Sequence, residues 1–134
     1  MATADLQNPD AMRRYLVEAE RIPVIGLKPR GVSANVSANM ANQGFEIVPV
    51  NPKYEECLGQ RAYDSVAEIP GRVDIVDIFR SPEHIPGHVD EILEMDPLPR
   101  LVWFQLGIRN DEAGRRLADA GIDVVQDRCI KVET

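Results

Sequence analysis

A strand–loop–helix–strand pattern near the N-terminus constrains the fold of this chain more than any other feature. An apolar segment at residues 22–27 leads into a loop with two glycines, then a helical segment and a second apolar segment at 45–50. In parallel α/β folds, such a unit places a helix N-terminus where a phosphate binds. An NAD-binding unit also needs Asp or Glu at the end of the second strand. Asn-Pro-Lys at 51–53 occupies that end, so the pattern predicts a phosphate-rich nucleotide rather than NAD.

Strands and helices alternate through the rest of the chain as well. Continuous apolar runs recur at residues 73–79, 101–106 and 122–126. Residues 54–71 are predicted to be irregular, with one helical turn at 65–68. The pattern predicts a single domain over residues 1–134, with a core at about 21–133 preceded by an N-terminal helix. We expect an α/β fold, with a doubly wound, five-stranded parallel sheet, helices on both faces and the strand order 3-2-1-4-5.

The composition argues against several classes of protein. Of the 134 residues, 44% are apolar and 28% charged, which is typical of a globular protein. No apolar run is long enough for a membrane span and the N-terminus lacks a signal-peptide pattern, so we expect a cytoplasmic protein without membrane contacts. The net charge of −7 argues against nucleic-acid binding. Cys57 and Cys129 form no Cys-x-x-Cys pair, which argues against a disulfide framework or a zinc site.

Basic residues follow every predicted strand, although the chain is acidic overall. They are Lys28, Arg30, Lys53, Arg80, Arg109 and Arg128. Ligands of open parallel sheets bind at the carboxyl ends of strands, near the point where the strand order reverses. Basic residues also flank strands at the opposite edge, so charged strand ends without a binding function are an equally good interpretation. The first loop adds Gly26 and Gly31, which permit unusual dihedrals, and Ser33, which is either the helix N-cap or a hydroxyl donor to phosphate.

No catalytic constellation is visible in the sequence. His84 and His88 are four residues apart on a predicted helix, and we interpret them as a solvated helix face because no further histidine accompanies them. Asp74 and Asp77 fall on opposite faces of a predicted strand and form no acid–base pair. Cys129 is interpreted as a small buried side chain. The sequence therefore leaves enzymatic activity open and favours its absence.

Five short motifs carry a resemblance to a known family. They are Gly26-Leu27, Pro-Val-Asn-Pro at 49–52, Val-Asp-Ile-Val-Asp-Ile-Phe-Arg at 73–80, Val-Trp-Phe-Gln-Leu-Gly at 102–107 and Asp-Arg-Cys at 127–129. In this order and spacing, the chain resembles the small stand-alone CoA-binding proteins, which are similar to the CoA-binding domain of the succinyl-CoA synthetase alpha subunit. The resemblance implies a Rossmann-like fold with CoA or acyl-CoA across the carboxyl edge of the sheet.

The resemblance also implies which residues bind the ligand. The first loop would hold the phosphates through Gly26, Leu27, Lys28, Arg30, Val32 and Ser33. The adenosine end would meet Asn51, Pro52, Lys53 and Tyr54, and the rest of the pocket would be lined by Phe79, Arg80, Pro82, Gln105 and Gly107. The family commonly has Ser where this chain has Lys28, so a cation would replace a hydroxyl contact to phosphate. No residue matches the phosphorylated histidine of succinyl-CoA synthetase, which argues against a ligase that acts alone.

Four functions are consistent with these observations. The first is a non-catalytic CoA- or acyl-CoA-binding protein that holds phosphates at a helix N-terminus and with basic residues at strand carboxyl ends. The second is an NAD(P)-binding, redox-responsive module in which Lys53 accepts a 2′-phosphate. The third is an interaction domain whose pocket binds no nucleotide, and the fourth is acyl-CoA chemistry shared with an ATP-grasp partner. The acyl group, the oligomeric state and any protein partner stay open.

Overall fold

A five-stranded parallel sheet organises the computed structural model, which describes residues 1–134. The strands are β1 (Arg21–Ile25), β2 (Glu46–Val50), the short β3 (Glu56–Cys57) and β4 (Gln60–Arg61), β5 (Ile75–Ile78), β6 (Leu101–Phe104) and β7 (Asp123–Val125). The helices are α1 (Pro9–Glu18), α2 (Val32–Asn42), α3 (Ile85–Leu93), α4 (Asp111–Asp119) and α5 (Ile130–Glu133), with 3-10 turns at Val66–Glu68 and Pro82–His84. The predicted α/β, Rossmann-like class is confirmed. None of the helices combines the length and apolarity needed to cross a bilayer.

The order of strands in the sheet is β2-β1-β5-β6-β7, and all four pairings are parallel. In terms of the five predicted strands this order is 2-1-3-4-5, so the predicted order 3-2-1-4-5 is wrong. The outer edge of β2 is already occupied, because the Tyr63 N–H donates to the Pro49 carbonyl (3.0 Å) and the Asn51 N–H donates to the Tyr63 carbonyl (2.9 Å). The next strand, β5, therefore pairs with β1 on its other side. The order reverses between β1 and β5.

The connection from β2 to β5 is more regular than the sequence predicts. The predicted helical turn is present as the 3-10 turn Val66–Glu68, with the Ser65 hydroxyl accepting from the Ala67 N–H. Within the segment predicted to be irregular, β3 and β4 form an antiparallel hairpin. Pro49 lies inside β2, where an outer strand tolerates a residue without an N–H.

Two apolar layers cover the sheet, one on each face. Alternate side chains of the strands divide between them, so Val76 packs towards α3 and α4 while Ile75 packs towards α1, α2 and α5. Trp103 and Phe104 are fully buried on opposite faces. Because helices cover both faces, the sheet itself can contribute to a polar site through its strand ends.

The N-terminal segment lies along the outer edge of β7. The Leu6 N–H donates to the Val124 carbonyl (2.7 Å) and the Val124 N–H donates to the Thr3 carbonyl (2.9 Å). The segment passes directly over α4, since a Cβ atom at Gly114 would lie 2.7 Å from the Ala4 carbonyl oxygen.

Candidate functional site

The carboxyl ends of β1, β2 and β5 surround a cleft of about 220 Å³, called here the cationic cleft. Its lining residues are Gly26, Lys28, Asn51, Lys53, Phe79, Arg80, Ser81 and His84. Three of these side chains carry a positive charge, and none is a carboxylate. The cleft lies where the strand order reverses, which is the usual ligand position in such sheets. In a chain of net charge −7, this concentration of cations at one strand edge favours binding of an anion.

Gly26 brings two of the cleft loops into contact. Its φ angle is +86°, a conformation that side chains disfavour. A Cβ atom at this position would lie 2.3 Å from the Phe79 carbonyl oxygen and 2.9 Å from Arg80 Cδ. The glycine therefore allows the loop after β5 to lie against the loop after β1, with Arg80 at their junction.

Asn51 ties the loops after β1 and β2 together. The side chain is 2% exposed, its Nδ2 donates to the Leu27 carbonyl (3.1 Å) and its Oδ1 accepts from the Lys53 N–H (3.0 Å). Leu27 itself is fully buried in the apolar layer beneath. Asn51 thus holds the backbone that carries Lys53, and both of its side-chain groups are engaged within the protein.

Ser33 is not the N-cap of α2, which was one of the two roles that the sequence predicts for it. The N-cap is Gly31, with φ +94° and no side-chain hydrogen bond to the first turn. Ser33 is buried and its Oγ accepts from the Lys28 N–H (3.0 Å), which holds the loop closed. The first-turn N–H groups of α2 therefore have no capping side chain, and this terminus carries a partial positive charge. Arg30 and Val32 are exposed beside it.

A second cleft, of about 640 Å³, adjoins the cationic cleft and shares Lys53 with it. Its lining residues are Pro52, Lys53, Tyr54, Glu55, Arg61, Ala62 and Asp64. The Arg61 guanidinium lies 4.9 Å from the centroid of the Tyr63 ring. Sequence reasoning missed Arg61 because the hairpin that positions it was predicted to be irregular.

Seven predicted site residues line neither cleft: Leu27, Arg30, Val32 and Ser33, which belong to the first loop and the start of α2, and Pro82, Gln105 and Gly107. Gln105 is 2% exposed, its Nε2 donates to Asp77 Oδ1 and its Oε1 accepts from the Ile130 N–H (3.2 Å). The Gly107 N–H donates to Asp127 Oδ1 (2.6 Å), on the side of the sheet near β7. Pro82 is exposed in the 3-10 turn that follows the cleft. A ligand that fills the cationic cleft would thus reach Pro82 more readily than the enclosed Gln105.

The other strand-end cations are engaged elsewhere. Arg109 forms ion pairs with Asp5 (2.7 Å) and Asp111 (3.0 Å), and Arg128 pairs with Glu133 (3.5 Å). Lys28, Lys53 and Arg80 form no such pair within 4.0 Å, so their charges are available to a ligand.

The two groups near the site whose pKa values are shifted, Asp77 and Cys57, are both buried. Burial raises the pKa of Asp77 to about 7, against the opposing effects of the Gln105 side chain and the Ile78 N–H. Burial also raises the pKa of the Cys57 thiol, which lies 3.6 Å from the Leu27 carbonyl oxygen. Both cysteines are free, and no group of three or more His, Cys, Asp or Glu side chains could hold a metal ion.

The comparison with known proteins decides the family. Residues 20–134 match the CoA-binding domain family. The chain belongs to this family. The match confirms the resemblance that the sequence motifs indicate.

Similar proteins of this family exist both alone and within longer enzymes. The chain is 42% identical over 131 residues to the uncharacterized protein YneT of Bacillus subtilis, covering 95% of this chain and 96% of that protein. A solved structure from Thermus thermophilus has 38% identity and a TM-score of 0.88, covering 95% of this chain and 96% of the other. The ADP-forming acetate–CoA ligase I of Archaeoglobus fulgidus is 29% identical over 119 residues, and there the match spans only 17% of the ligase.

Proposed function

We propose that this protein binds CoA or an acyl-CoA in the cationic cleft and does not itself catalyse a reaction. The observation that carries the proposal is the cleft at the reversal of strand order, with three cations and no carboxylate in its lining. CoA presents a pyrophosphate and a phosphomonoester, and these groups need such a donor set.

The proposed phosphate contacts come from two sources. The uncapped first turn of α2 supplies backbone N–H groups, while Lys28, Lys53 and Arg80 supply charge. Lys28 stands where the family commonly has Ser, so a charge-assisted contact replaces a hydroxyl contact. Arg30 is exposed next to this terminus and is available to a phosphate at the rim.

We assign the adenosine end to the second cleft. Tyr54 offers an aromatic ring and Pro52 an apolar surface to a base, and Lys53 lies between the two clefts and would contact phosphate from either. The pantetheine end would then run along Phe79 and Pro82. CoA itself supplies the thiol that carries an acyl group; the protein residues bind and orient it.

A binding role without catalysis follows from the groups around the cleft. His84 is the only imidazole in the lining, and no carboxylate there could orient it as a general base. The Archaeoglobus ligase is much longer than this chain, so acyl-CoA chemistry would require further domains or a partner subunit. We therefore assign a carrier, sensor or regulatory role, exercised in the cytoplasm.

Thermal unfolding with candidate ligands tests the proposal. CoA, acetyl-CoA, NAD, NADP and ATP are each added at millimolar concentration to the wild-type chain. A ligand at 100 times its Kd stabilises the folded state by about 2.7 kcal/mol, which raises Tm by several degrees. The variants R80A and K53A should each weaken CoA binding by about 10- to 100-fold, since a hydrogen bond to a charged group is worth about 1.5–3 kcal/mol.

The control variant is R115A, which removes a positive charge from an exposed position on α4, outside both clefts. It should bind CoA as the wild type does. A Tm shift with NADP and none with CoA would replace the proposal with the NAD(P)-binding alternative. No shift with any of the five ligands would favour an interaction domain.

A further inference from the structure

His84 occupies a position in the cationic cleft that the proposed phosphate contacts leave unexplained. It ends the 3-10 turn Pro82–His84, is exposed, and its ring has no hydrogen-bond partner within the protein. The other histidine is engaged, because His88 Nδ1 lies 2.6 Å from Glu91 Oε1. Of the two imidazoles in the chain, only that of His84 is open to a ligand.

Positive groups from three loops line the same cleft as His84. Lys28 belongs to the loop after β1, Lys53 to the loop after β2, and Arg80 to the segment before the turn. The N-terminus of α3, which begins at the next residue, adds a partial positive charge. Glu83 is the neighbouring carboxylate in the turn, but it lies outside the cleft lining.

This arrangement makes the charge of the imidazole sensitive to the ligand. The cleft lining holds three cations and no carboxylate, so without a bound anion the imidazole of His84 has no negative partner there. A bound phosphate supplies such a partner, because it places negative charge among the same groups. Histidine is the side chain whose charge changes near neutral pH, which makes a contact of this kind dependent on pH.

We propose that His84 is a proton-dependent phosphate contact, so that binding of the CoA pyrophosphate takes up a proton and becomes tighter as the pH falls from about 8 to about 6. The inference rests on the proposed function and adds a regulation of the same site. One exposed charge pair at contact distance is worth about 1 kcal/mol in water, which corresponds to about a fivefold change in affinity.

Calorimetric titration with dephospho-CoA tests the inference, at about pH 8 and about pH 6, for the wild type, H84Q and H88Q. Dephospho-CoA keeps the pyrophosphate but lacks the phosphomonoester, whose own second ionisation near pH 6 would otherwise contribute. H88Q is the matched control, because it removes an imidazole on the same segment outside the cleft. Asp77 also titrates in this range, but it is present in all three proteins and cancels in the comparison.

The expected result is an affinity gain on acidification that is about fivefold larger in the wild type and H88Q than in H84Q. Since the chain has two histidines, the Cε1–H resonance of His84 is readily assigned, and ligand should move its titration midpoint to higher pH. Equal pH dependence in wild type and H84Q, with binding intact, would overturn the role of His84 and leave the proposed function standing. Absence of binding by dephospho-CoA and by CoA at both pH values would instead overturn the proposed function.

Discussion

Replacing Asp77 by asparagine should remove a large pH-dependent contribution to the stability of this protein. Asp77 lies in the middle of the sheet, is 2% exposed, and accepts a hydrogen bond from the Gln105 amide. Burial raises its pKa to about 7, whereas the unfolded chain has the ordinary value of 3.8. Asparagine keeps an oxygen acceptor for Gln105 but cannot ionise.

The direction and size of the effect follow from the two pKa values of Asp77. Below about pH 4 the carboxyl group is protonated in both states, and the folded state has its full stability. As the pH rises, the unfolded chain loses the proton first, so the free energy of unfolding falls until the folded group ionises near pH 7. Each pKa unit corresponds to about 1.4 kcal/mol, and the interval from 3.8 to about 7 gives a total loss of about 4 kcal/mol. Domains are typically stable by about 5–15 kcal/mol, so this loss is substantial.

Urea unfolding at several pH values between about 4.5 and 7.5 measures this contribution. The wild-type free energy of unfolding should decline by up to about 1.4 kcal/mol per pH unit more steeply than that of D77N. D119N, which neutralises an exposed aspartate at the end of α4, should retain the wild-type slope. If D77N and the wild type have the same slope, Asp77 is ionised in the folded state and the reasoning fails.

Three further substitutions probe the loops and helices by urea unfolding. G26A should destabilise by about 1–3 kcal/mol more than G44A, because both positions have positive φ but only Gly26 faces a backbone oxygen at 2.3 Å; equal losses would contradict this. N51A should cost about 1–3 kcal/mol by freeing the Leu27 carbonyl and the Lys53 N–H, whereas an unchanged midpoint would show that water replaces both bonds. N110A should cost about 1 kcal/mol because its side chain caps α4 through the Ala113 N–H, and no loss would argue against the cap.

Local patterns in the sequence predict the elements of this fold but leave their order undetermined. Continuous apolar runs indicate parallel strands because both faces of such a sheet are covered. Whether β5 pairs with the free edge of β2 or with that of β1 depends instead on the backbone pairing of Tyr63 with Pro49 and Asn51, which occupies the edge of β2. That pairing joins residues more than ten positions apart and has no periodic signal, so the predicted order was wrong although the class was confirmed.

The sequence also predicts some residues of the cationic cleft correctly and misplaces others. Lys28, Lys53 and Arg80 could be expected at one edge, because parallel strands end on the same side of a sheet. Gln105 follows β6 in the same way, but its side chain turns inward to a buried carboxylate on the neighbouring strand. His84 was interpreted as part of a solvated helix, since no local pattern shows that a 3-10 turn brings it to the cleft. Side-chain direction at a strand end depends on tertiary neighbours.

The two outer strands of the sheet are both covered by the chain itself. Tyr63 supplies backbone hydrogen bonds to the segment around β2, and residues 3–6 supply them to β7. Unpaired groups on an outer strand are a template for pairing with other polypeptides, which leads to aggregation and domain swapping. Because other parts of the chain satisfy these groups, β2 and β7 can keep the apolar residues at 47–50 and 124–125 that pack in the core.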